Sequence, residues 1–379
     1  MSFRSRSSLL ATICLALTAH AQVQTVPGMP PVPEPLNLYS EIGVGKVSPA
    51  LADHKELVYV PHVQSNNVFV IDPKTLKVID KYKVGLNPQH VVPSWDMQTL
   101  WVTNNAERTK EGSLTPIDPK TGKPGTAIAV HDPYNMYFSP DGRSAIVVEE
   151  AEKRLAFRDA KTMEFQYFIH TPRCAGVNHA DFSIDGTFAI FTCEFQKSVV
   201  KIDLVNRKVI DYLRLSKGGM PQDIRVSPDG KRFYVADMQA DGIFIVDGES
   251  FKEVGFVKTG KGTHGIYPSR DGKKMYVANR GSNRIHGAKS GPGSVSVVDF
   301  ATEKVEATWT IPGGGSPDMG NVTADGKQLW LSGRYDHVVY VFDTTTGEVK
   351  VIKVGVEPHG LTVWPQPGRY SLGHTGNMR

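Results

Sequence analysis

Residues 262–281 read GTHGIYPSRDGKKMYVANRG. GIYP and KKMYVAN are rich in aromatic and β-branched residues. Between them, Asp271 and Gly272 supply the polar, φ-permissive pair that a tight reversal needs. The stretch reads as a β-hairpin, and it recurs as HVVPSWDMQTLWVTNN, NMYFSPDGRSAIVVEE, HADFSIDGTFAIFTCE, DIRVSPDGKRFYVADM and DMGNVTADGKQLWLSGR. A second element alternates with it, a short apolar strand closing on Asp72, Asp118, Asp159, Asp203, Asp247, Asp299 or Asp343. These aspartates are spaced by 46, 41, 44, 44, 52 and 44 residues, and a turn and a further strand follow each.

Four short strands in about 44 residues, with no sustained helical period, predict an all-β, seven-bladed β-propeller of four-stranded blades. The first unit has KELVYVPH as a second strand but no clear first strand. Pro358 to Pro365 is a first strand without a complete blade after it. Their pairing is expected to close the ring.

The rest of the chain frames this domain. Residues 1–21 combine Arg4 and Arg6, an apolar run from Leu9 to Ala19, and Ala19-His20-Ala21. This is the pattern of a secretory signal cleaved after Ala21, which predicts a periplasmic or secreted protein with no membrane span after cleavage. Residues 22–43, with VPGMPPVPEP, read as a Pro-rich linker, 44–368 as the propeller and 369–379 as a C-terminal tail. The formal charge of +4 falls to about +2 without Arg4 and Arg6, too weak to argue for nucleic acid or an anionic membrane. A monomer is expected.

LWVTNN, FYVADM and MYVANR, with SPDGK-type turns before them and VxVID-type strands after, resemble the YVTN-family β-propeller repeats from about Val44 to Pro365. The resemblance implies the fold. Propellers host binding proteins, lactonases, lyases and oxidoreductase domains alike. A more distant likeness is to the haem-binding propeller domain of haem-d-type nitrite reductases, which also uses histidines on its upper face. That likeness implies a haem or electron-transfer accessory role, although no CxxCH attachment motif occurs here.

In a propeller, starts of first strands and ends of second strands converge on one mouth. Counting back seven from the turn glycine, or its equivalent, gives His90, Asn135, His179, Asp223, Gly265 and Met319. Counting back eight gives Gln89, Tyr134, Asn178, Gln222, His264 and Asp318, with His359 opening the closing strand. The histidines are therefore out of phase, and neighbours along a strand point to opposite faces unless a bulge intervenes. Second strands end in Glu149, Asp237 and their equivalents, followed by Glu150, Glu194, Arg280 and Arg334. His90, His179, His264, His359, Asp223, Asp318, Glu149, Asp237, Arg280 and Arg334 are the ligand candidates. Such a set suits Cu or Zn, a haem iron, or a small polar ligand or protein partner at the mouth. The structural alternative is that these groups satisfy loop backbone or hold water. His374, in the tail, reaches the site only if the tail covers the mouth. His62, His131, His170, His286 and His337 fall in loops or at blade edges and read as solvated.

The strand-closing aspartates, and Asp141, Asp229, Asp271 and Asp325 of the SPDG-type turns, read as turn caps rather than catalytic groups. Cys174 and Cys193 flank one hairpin with both sulfurs at its open end and are expected to form a disulfide; soft-metal binding with His179 is the alternative. A Gly- and Ser-rich insertion, NRGSNRIHGAKSGPGS, lies at the same mouth. Neither GxSxG nor HExxH occurs. The chain reads as an exported binding or interaction protein, with a lactonase- or lyase-type enzyme as the alternative.

Overall fold

The computed structural model describes residues 22–379 apart from Gly287 and Gly376. The predicted signal segment lies outside the described residues.

Seven antiparallel sheets form the ring, six of four strands and one of five. Blade 1 contains Leu57–His62, Asn67–Asp72 and Lys77–Lys83, and its inner strand is Thr362–Trp364 from the far end of the chain. Tyr59 pairs with Thr362 and Leu57 with Trp364, which closes the ring as expected. Blades 2 to 7 follow in chain order, with inner strands Pro88–Pro93, Pro133–Phe138, Val177–Phe182, Pro221–Val226, Thr263–Pro268 and Pro317–Val322. In blade 2 the outer strand is split into Lys123–Pro124 and Ile128–Ala129, and the first piece ends on a proline that offers no N–H to the ladder.

The sequence pattern explains the packing. Strand faces of Val, Ile, Leu and aromatic residues meet between adjacent blades. At the closure, Val58, Val60 and Ile71 of blade 1 share a core with Trp330, Val339 and Val341 of blade 7. Each such side chain contributes about 1.5–3 kcal/mol when fully buried, and the ring leaves no blade face unpartnered.

The turn chemistry is as the repeats predict. In blade 5, Ser227 Oγ donates to Asp229 Oδ1 (2.5 Å), and Lys231 N donates to the same oxygen (3.2 Å). Gly230 there takes φ +72°, a left-handed conformation that costs glycine little. Strand-closing aspartates cap the turns after them; Asp72 Oδ1, for example, accepts from Lys74 N (2.8 Å) and Asp343 Oδ1 from Thr345 N (2.8 Å).

The segment before the ring does not hang free. Met29, Val32 and Leu38 are buried, and Tyr39 donates to the Val226 carbonyl across the face carrying the SPDG turns. Cys174 and Cys193 form the disulfide, with Cα atoms 4.8 Å apart. It closes a loop of 19 residues and stabilises by roughly 3 kcal/mol. Both sulfurs are thereby withdrawn from metal binding.

The tail enters the channel. Residues 368–375 and 377–379 fold back on one another, with Tyr370 N and Arg379 N each bonded to the other residue's carbonyl (2.9 Å). This loop inserts from the SPDG-turn face. Ser371 N donates to Trp95 O, Phe138 N to Leu372 O, and Arg225 Nη2 to Thr375 O. Tyr370, Leu372 and Met378 are buried. Among the described residues, no helix is long and apolar enough to cross a membrane.

Candidate metal centre in the propeller channel

The phase problem posed by the histidines is solved by the backbone. Every inner strand shifts register by one residue near its start. Pro88 pairs with Asn104 but His90 with Thr103; Thr263 pairs with Asn279 but Ile266 with Val277. The same slip occurs in blades 3, 4, 5 and 7. In blade 1 it falls between Thr362, opposite Tyr59, and Pro358, opposite His62. An extra residue in a strand lets neighbouring positions turn to one side.

His90, His179, His264 and His359 therefore all project into the channel, at no more than 1% exposure. Ring centroids are 4.8 Å apart for His90–His359, 5.4 Å for His90–His179, 5.9 Å for His264–His359 and 6.4 Å for His179–His264. A fifth imidazole comes from the inserted tail. His374 lies 4.7 Å from His179 and 5.0 Å from His90, centroid to centroid.

The five rings divide by partner. Asp318 binds two of them, His359 Nδ1 at 2.7 Å and His264 Nδ1 at 2.9 Å, and also Arg280 Nη2 at 2.6 Å. The other three, His90, His179 and His374, each offer a ring nitrogen within 4.8 Å of the others. The Asn135 amide stands 3.2 Å from Nδ1 of both His179 and His374 and sets their ring planes. Both ring nitrogens of His90 and Nε2 of His179 are buried without a hydrogen-bond partner.

The model of the YncE-like beta-propeller family matches residues 46–367. The chain belongs to the YncE-like β-propeller family. The uncharacterised YncE of Salmonella typhi is 22% identical over 326 residues, which are 78% of this chain and 84% of that protein. Antigen Lp49 of Leptospira interrogans is 27% identical over 189 residues, covering 43% of this chain and 38% of Lp49. Among solved structures, hydrazine synthase of Kuenenia stuttgartiensis superposes with a TM-score of 0.58 at 20% identity, over 73% of this chain and 90% of that one. Dihydro-heme d1 dehydrogenase NirN, in complex with DHE, gives 0.59 at 15% identity, over 81% and 75%. The expected likeness to haem d1 propellers thus holds at the level of fold.

In this YncE-like propeller, burial holds the channel imidazoles neutral. It lowers the pKa of His264 to about 4, with the Arg280 charge adding to the effect, and that of His359 to about 3. His90, His179 and His374 are driven well below the ordinary imidazole value, first by burial and then by the neighbouring channel imidazoles. For Asp318 burial acts the other way, but Arg280 and the two imidazoles outweigh it and keep the carboxyl well below its usual range. Burial lifts Asp223 to about 6 despite Arg225 Nη1 at 2.9 Å; it lies 3.7 Å from His374 Nε2 and holds the backbone N–H groups of Ile224 and Ile266.

Two nominated residues lie elsewhere. Glu149 turns toward Arg154 Nε (2.5 Å), and Asp237 caps a loop through the N–H groups of Gly219, Met220, Gln239 and Ala240. They share the strand phase of Asn104 and Asn279, which bond to serines of the neighbouring strand. The next residue along faces the mouth, so Arg280, Arg334, Glu150 and Glu194 line it. His62 is a further correction. It is buried, and its Nε2 accepts from Gly355 N (3.0 Å).

Above the imidazoles the mouth narrows to a pocket of about 110 Å³. Tyr134 forms its floor, with its ring 5.6 Å from that of His90 and its hydroxyl 3.5 Å from His359 Nε2. Sequence counting had placed Tyr134 at the mouth, but nothing local marked it as a ring that lies between the pocket and His90, beside His264, which also lines the pocket.

Proposed function

We propose that this protein is an exported propeller that holds one transition-metal ion between His90, His179 and His374. The observation that carries the reading is the trio itself, three buried neutral imidazoles with one nitrogen of each within 4.8 Å of the others, and with unpartnered ring nitrogens on His90 and His179. An unsatisfied buried acceptor costs about 1–3 kcal/mol; a cation would convert that cost into ligation at a ring lone pair. Zn²⁺ at 2.0–2.1 Å from each nitrogen sets ligands about 3.4 Å apart, so nitrogens now within 4.8 Å would draw in by up to about 1.4 Å on binding. Imidazole donors suit Zn²⁺ and Cu²⁺. A haem is less well supported, because the tail occupies the channel and the pocket of about 110 Å³ is well below the roughly 300 Å³ at which cofactor sites begin. Export is supported by residues 1–21 and by the disulfide, which persists in oxidising compartments.

Metal analysis of protein secreted by its host and purified without chelator tests this. About one equivalent of Zn or Cu is expected, with the N-terminus at Gln22. His179→Ala should abolish the metal. Protein without metal, whose melting temperature is unmoved by added Zn²⁺ or Cu²⁺, would overturn the reading.

A further inference from the structure

The mouth pocket has a chemistry of its own, independent of any metal below it. Its walls are opposite in charge because of ring order. Glu150 and Glu194 belong to blades 3 and 4, whereas Arg280 and Arg334 belong to blades 6 and 7, across the ring. Glu194 is anchored by Asn178 Nδ2 and Gln222 Nε2, both at 2.8 Å. Two further acceptors on that side are buried without a partner, Gln89 Oε1 and Asn178 Oδ1. On the other side the orphan is a donor. Arg334 spends Nη2 on Glu357 (2.7 Å), but its Nε has no partner and the residue is only 4% exposed. One wall thus lacks donors and the other lacks an acceptor.

We propose that this pocket binds a small zwitterion, with its ammonium group on the Glu150–Glu194 wall and its anionic group on the Arg280–Arg334 wall. A volume of about 110 Å³ limits the ligand to a few heavy atoms, the size of glycine or β-alanine. An ammonium supplies donors where Gln89 Oε1 and the carboxylates need them, and a carboxylate accepts from Arg334 Nε. A simple cation would satisfy the first wall alone, and a simple anion the second alone. Burial and the Glu194 charge raise the pKa of Glu150, in keeping with two carboxyl groups that lack a cation between them.

Isothermal titration of the whole protein with glycine, β-alanine, methylamine and acetate, before and after chelator treatment, tests the proposal. Glycine or β-alanine should bind saturably at one per chain, at least tenfold tighter than methylamine or acetate, with or without chelator. Glu150→Gln, which replaces a carboxylate of the acidic wall with a neutral amide of the same size, and Arg334→Gln should each weaken binding at least tenfold. Absence of saturable binding by either amino acid in the wild type would overturn it, as would methylamine binding equally well, which marks a cation site. Binding lost on chelation would also overturn it, and would place the ligand on the metal instead.

Discussion

A histidine buried without charge carries a pH dependence of known sign. His62 titrates near 4 in the fold because burial disfavours its cation, against about 6.5 in an unfolded chain. The unfolded state therefore binds the extra proton first as pH falls. The contribution of His62 is fully present above about pH 6.5 and is lost as pH drops toward 4. On the order of 3 kcal/mol is at stake. A His62→Gln variant, whose amide oxygen still accepts from Gly355 N, should lose less stability than the wild type between pH 7 and 4.5 in urea unfolding. Equal losses would show that His62 does not titrate this way. The sequence suggested solvent for this residue because it read as lying in a loop or at a blade edge. Its burial comes from Gly355, 293 positions away, and no local pattern reports that.

At the scale of the strand, the bulge decides which side chains meet. Period-two alternation separated His264 and His359 from His90 and His179, and an added residue near the start of each inner strand reunites them. Gly360 belongs to this device. A Cβ there would stand 2.0 Å from His90 Nδ1, so glycine leaves the ring room to stand in the channel. Gly360→Ala should tilt His90 and weaken Zn²⁺ binding at least tenfold, while costing about 1–3 kcal/mol of stability. Competition with a chromophoric chelator, alongside urea unfolding, measures both. Unchanged affinity would remove His90 from the site. The turns needed no such rescue, because Ser, Asp and Gly within a few residues make their own hydrogen bonds.

At the scale of the molecule, the tail is the decisive element. It delivers His374 and buries Tyr370, Leu372 and Met378 in the channel. Deleting residues 369–379 should cost about 5 kcal/mol from lost apolar burial and eliminate metal binding. His374→Ala should eliminate metal binding while leaving the melting temperature of metal-free protein within a few degrees of wild type. Calorimetric melting with and without Zn²⁺ separates the two. A truncated chain that still binds metal with wild-type affinity would exclude His374 as a ligand.

Repeat spacing, turn chemistry and alternation were enough to determine seven blades, their closure by the last strand, the capping aspartates and the pairing of Cys174 with Cys193. Those features arise from contacts within a blade or between strands of matching pattern, so they are written locally. The tertiary structure alone decided that five imidazoles share one channel, that Glu149 and Asp237 face away from it, and that the tail supplies His374. These depend on a one-residue slip and on a glycine-rich segment of no fixed period threading a channel that exists only once the ring has closed.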